Sequence, residues 1–111
     1  MLQERDGRLR GAVGERRLHL AALNAAVADW DGPLACALVN RDGALVLNVV
    51  NRTDEFRSLD VGCERVGGVW WFVRTDTGEG LVPVLEVADA PALLARVIER
   101  AAGDAAGSGG R

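Results

Sequence analysis

The chain has 111 residues, 49% of them hydrophobic and 26% charged, enough to bury one hydrophobic core and too few for two. That composition excludes an intrinsically disordered chain, and a formal charge of -3 with a pI near 5.1 sets the surface against a phosphate backbone unless basic residues gather locally. No stretch reaches the roughly 18 apolar residues of a membrane span, and Met1-Leu2-Gln3-Glu4-Arg5-Asp6 lacks the apolar core of a signal peptide, so the expectation is a cytoplasmic protein with no membrane association.

Residues 1–14 place Gly7, Gly11 and Gly14 among alternating charges with a positive balance, which reads as a frayed arm or a weak helical extension. From Glu15 to Trp30 the apolar residues Leu20, Leu23, Val27 and Trp30 recur at steps of three and four, the stripe of an amphipathic helix. Asp31-Gly32-Pro33 stops it, because proline cannot continue the backbone ladder and glycine accepts the left-handed turn.

Short runs rich in Val and Leu follow, separated by turn residues, and predict an antiparallel meander of five strands: 34–40, 44–51, 58–66, 69–75 and 80–85. Three connections are tight: Arg41-Asp42-Gly43, Gly67-Gly68 and Asp76-Thr77-Gly78-Glu79. A second helix is expected from Asp89, a good N-cap, with Pro91 in the first turn and Leu94, Val97, Ile98 and Ala101 at helical spacing, ending at Gly103. The composition of residues 103–111 predicts a disordered tail. The whole reads as an arm (1–14), a single α+β domain (15–102) and a tail, with both helices packed on one face of the sheet.

Gly67-Gly68 suits a two-residue primed turn, since both positions accept positive φ. That turn sets the register: Val66 opposite Val69, Arg65 opposite Trp70, Glu64 opposite Trp71 and Cys63 opposite Phe72. One face then collects Leu59, Val61, Cys63, Trp70 and Phe72, and the other Gly62, Glu64, Val66, Val69, Trp71 and Val73. Both are largely apolar, whereas a sheet with one solvated face alternates. Two helices cover one face but hardly two, so the second face is left to the chain ends, to a second copy, or to a ligand or protein partner, and Val66, Val69, Trp71 and Val73 are the candidate interaction residues.

Residues able to carry chemistry are few. His19 is the single histidine and has no metal-ligand spacing around it; one turn before Leu23, it is expected to be a partly buried, hydrogen-bonded imidazole. Neither Ser58 nor Ser108 lies in a G-x-S-x-G context. Cys36 and Cys63 lack C-x-x-C spacing and are expected to stay reduced and inert in an apolar strand environment. Asp54-Glu55 and Asp60 with Glu64 read as a solvated edge, and no glycine pattern cradles a nucleotide. Arg5, Arg8, Arg10, Arg16 and Arg17 form one basic cluster, offset by Glu4, Asp6 and Glu15, for which a solvated arm is a better reading than nucleic-acid binding. No catalytic residue, cofactor site or metal site is assigned.

The stretch Leu59-Asp60-Val61-Gly62-Cys63-Glu64-Arg65-Val66-Gly67-Gly68-Val69-Trp70-Trp71-Phe72, followed by a glycine-containing turn and a closing amphipathic helix, resembles small uncharacterised actinobacterial α+β proteins. The thirteen arginines without a lysine fit a GC-rich coding sequence of that kind. The order helix, meander, helix is also similar to secretion-chaperone-like domains, though this chain lacks their usual internal helix; that resemblance implies partner binding and dimerisation. The leading expectation is a non-enzymatic interaction or accessory domain, a homodimer through the sheet face around Trp71 and Val73. The alternative is a small-molecule binding protein or minor enzyme with a pocket between sheet and helices, reached by Cys63 or His19.

Overall fold

The computed structural model describes residues 2–109, with side chains described for 14–54 and 57–100. In chain order it contains α1 (Leu2–Asp29), β1 (Leu34–Arg41), β2 (Ala44–Asn51), β3 (Asp54–Val66), β4 (Val69–Arg74), β5 (Gly80–Pro83), a 3₁₀ turn over Val84–Asp89 and α2 (Ala90–Gly109). The strands form one antiparallel sheet in the order β1-β2-β3-β4-β5. The fold is α+β, as the hydrophobic periodicities predict. The arm and tail expected at 1–14 and 103–111 fall mostly on side chains outside the described residues.

Two hairpins owe their tightness to positive φ. Asp42 (φ 53°) with Gly43 (φ 84°), and Gly67 (φ 57°) with Gly68 (φ 83°), give each turn two central residues of the primed type whose twist matches the strands. The first connection is one residue shorter than expected, because Arg41 already pairs with Ala44. Across the second, the register is the one the Gly-Gly turn predicts: Val66 opposite Val69, Arg65 opposite Trp70, Glu64 opposite Trp71 and Cys63 opposite Phe72.

Besides α1, which starts at Leu2 and not at Glu15, three boundaries differ from the sequence reading by more than one residue. β3 starts at Asp54, not Ser58, because the Asn51 side chain accepts hydrogen bonds from Thr53 N–H (2.9 Å) and Oγ1 (2.6 Å) and closes a turn over Arg52-Thr53. β5 ends at Pro83, whose ring removes the ladder donor, and the chain winds into the 3₁₀ turn before α2. The α2 backbone continues past Gly103, and a single glycine costs a helix only about 1 kcal/mol relative to alanine.

Both helices pack on the same face. Leu20, Leu23 and Val27 of α1 and Leu94, Val97 and Ile98 of α2 are buried against Leu34, Leu47, Val49, Leu59, Val61, Cys63, Phe72 and Val82 of the sheet. These sheet residues share one face by register, since Leu47 opposes Val61, Val49 opposes Leu59, Cys63 opposes Phe72 and Phe72 opposes Val82. The expected α1 stripe is therefore the one buried, with Trp30 packed at its end.

The central strand changes partners along its length. β3 pairs with β2 from Asp54 to Val61 and with β4 from Val61 to Val66. Beyond Val61 the twisted sheet splits, leaving Gly62–Val66 bonded to β4 only and Ala44–Val46 to β1 only. The Cys63 carbonyl, which faces the split, accepts a hydrogen bond from Arg16 Nε at 2.9 Å, so a helix side chain takes the place of a missing strand.

Candidate functional site

On the inner side of the β3–β4 hairpin, α1 clamps Trp70. The indole Nε1–H donates to Glu15 Oε2 at 2.8 Å, the His19 ring tilts 50° against it at 5.4 Å between centroids, and the Arg16 guanidinium carbon lies 5.8 Å from the ring centroid. That last distance is at the outer limit of a cation–π contact. Trp70 is thus anchored by the first helix through both its polar and its aromatic parts, and the contact His19 makes is aromatic and not the hydrogen bond expected for it.

Of the two thiols, Cys63 lies beside this anchored region, its carbonyl bonded to Arg16, while Cys36 lies on β1 near Trp30. Cys63 is 2% exposed; burial pushes its pKa up to about 11, the Arg16 guanidinium pulls it back and Glu64 adds a smaller upward push. Burial likewise pushes Cys36 up to about 12. Both are protonated thiols at neutral pH, and a nucleophilic role needs the thiolate. Cys63 is packed into the core, and beside it, where β2 and β3 part, an open cleft of about 260 Å³ is bordered by Arg16, Val46, Gly62, Glu64 and Thr75.

Among the described residues, no helix lies over the outer face. Val66 is 58% and Val69 44% exposed, and they face each other at the hairpin end. Trp71, opposite Glu64 and Pro83, is half-buried. Val73 is only 6% exposed, so it is a floor and not a rim. The four candidate residues share one face, and Val66, Trp71 and Val73 line an open groove of about 310 Å³ with Glu64, Gly78 and Gly80. At one side of the groove Gly80 lies against the Trp71 ring, which a Cβ there would meet at 3.4 Å.

Two sets of polar side chains are paired along the sheet and its turns. Asp60 accepts from Arg41 Nε at 3.1 Å and from Asn48 Nδ2 at 2.9 Å, linking β1, β2 and β3. Arg74 donates two hydrogen bonds to Asp76 in the β4–β5 turn, which holds the Asp76 carboxyl below its ordinary value. Asp60 thus belongs to a structural network, whereas the sequence suggested a solvated edge with Glu64. Of the basic cluster, Arg16 is engaged at Cys63 and Trp70; Arg5, Arg8 and Arg10 have side chains outside the described residues. The Arg16 and Asp60 contacts had no local signal in the sequence, because their partners lie 47 and at least 12 residues away.

Among the described residues no helix is long and apolar enough to cross a membrane. Comparison with known protein families, with characterised proteins and with solved structures finds no match to the chain.

Proposed function

We propose that this chain is a non-enzymatic protein-interaction or accessory domain that self-associates through the outer sheet face around Trp71. One observation carries the reading: both helices pack on the inner face, while the opposite face keeps Val66 and Val69 exposed beside a groove walled by Trp71. An aromatic ring flanked by aliphatic side chains and rimmed by a charge such as Glu64 has the composition of an interface centre. The protonated, packed state of Cys63 supports a binding role over a catalytic one.

Sedimentation velocity over a concentration series tests it. Self-association at high micromolar concentration, weakened by Trp71→Ala, is the expected result; a strict monomer, or association indifferent to Trp71→Ala, would sink the idea.

A further inference from the structure

The sheet has two edges, and they are defended differently. β5 is four residues long, ends in Pro83 and meets β4 through a register shift at Phe72/Val73, all features that discourage a further strand. β1 has eight residues paired with β2 without a shift. It contains no proline, lysine or carboxylate, and its single charge, Arg41, is held by Asp60 of the same chain.

The hydrogen-bond phase of β1 is fixed at both ends. A two-residue turn makes its flanking residues, here Arg41 and Ala44, a hydrogen-bonded pair. At the other end Arg52 N–H donates to the Pro33 carbonyl at 2.7 Å, in the same phase. The odd-numbered residues therefore bond to β2, and Leu34, Cys36, Leu38 and Asn40 aim N–H and C=O at the free edge. Beside the first half of this edge, between α1 and β1, lies an open cleft of about 260 Å³ bordered by Ala28, Trp30, Gly32 and Cys36. It has room for the inner-facing side chains of an added strand.

We propose that two copies of this chain join edge to edge through β1, antiparallel about a two-fold axis at Ala37, into one continuous sheet. The strand itself selects a second copy as occupant. With Ala37 opposite itself, Cys36 meets Leu38 of the second copy and Leu34 meets Asn40, so all four residues with outward backbone groups are paired and every side chain keeps to its own face. A register centred on Cys36 leaves Asn40 unpaired, and one centred on Leu38 leaves Leu34 unpaired. No like charges meet along the seam. This surface is distinct from the Trp71 face, and the outer faces of both copies remain open on the same side.

Oxidative cross-linking tests the register. Ala37 is exposed on the outer face and sits on the axis as a non-hydrogen-bonded pair, whose Cα separation of about 4.5 Å suits a disulfide. In a Cys36→Ala background, Ala37→Cys is expected to give several-fold more covalent dimer than Ser58→Cys, an exposed control away from the edge. Mixing the Ala35→Cys and Val39→Cys proteins should give a covalent heterodimer, while neither alone does. In a Trp71→Ala background the protein should sediment as a dimer and, with Ala37→Lys added, as a folded monomer, because two ammonium groups then face each other across the axis. Equal cross-linking of Ala37→Cys and Ser58→Cys would overturn the edge pairing, as would a Trp71→Ala protein that is already monomeric; association lost to Trp71→Ala alone would leave the face reading standing by itself.

Discussion

The two faces of the sheet are both apolar and differ in what lies over them. On the inner face Phe72 is 1% exposed within the core that the helices share with the sheet, while one residue earlier Trp71 is half-buried on a face over which no helix lies among the described residues. An apolar strand residue is therefore no guarantee of a core position; it marks a surface that something must cover, whether from the same chain or another.

The comparison breaks first at Phe72. Phe72→Ala should cost about 3–5 kcal/mol in urea unfolding, since it opens a cavity among residues that cannot collapse to fill it. Trp71→Ala should cost at most about 2 kcal/mol, because the ring gives up only part of its contact with water. If the two substitutions destabilise equally, the contrast between the faces is wrong.

Alkaline pH sharpens the inner side of the comparison. The unfolded chain ionises Cys36 and Cys63 near 9.0, whereas the folded protein holds them protonated to about 12 and about 11. Their contribution to stability is complete below pH 9 and is lost as pH rises toward those values. The chain contains neither lysine nor tyrosine, so no other side chain titrates across that window. Urea midpoints measured from pH 7.5 to pH 10.5 should fall above about pH 9, and the Cys36→Ala/Cys63→Ala protein should lose most of that slope. A flat profile in the parent protein would contradict the burial of the thiols.

The smallest effect is expected at Trp70. Replacing its indole by phenylalanine removes the Nε1–H bond to Glu15, an exposed contact worth about 0.5–1.5 kcal/mol at most. Charge reversal at Glu15 should add nothing to Trp70→Phe if the two act through that bond, and a double-mutant cycle reads this directly. Full additivity would show that the clamp is an arrangement without energetic coupling.

Much of this was legible in advance where the signal is local. The Gly67-Gly68 pair dictated the hairpin register, and with it the division of Trp70 and Phe72 from Trp71. The spacing of Leu20, Leu23 and Val27 marked the helix stripe that is buried. The 3₁₀ turn at Val84–Asp89 has only Pro83 as its local signal, and the early start of β3 depends on the Asn51 side chain bonding Thr53. The site itself was half visible: register placed Val66, Val69, Trp71 and Val73 on one face, yet only packing distinguished the exposed valines from the buried Val73.

By itself the amino-acid sequence determined the elements, the turns and which side chains share a face, because periodicity and positive-φ turn residues act over a few neighbouring positions. Tertiary structure alone decided where β3 leaves β2 for β4, and that Arg16 reaches the Cys63 carbonyl exposed by that parting. Those outcomes depend on sheet twist and on contacts between distant segments, which no local pattern encodes.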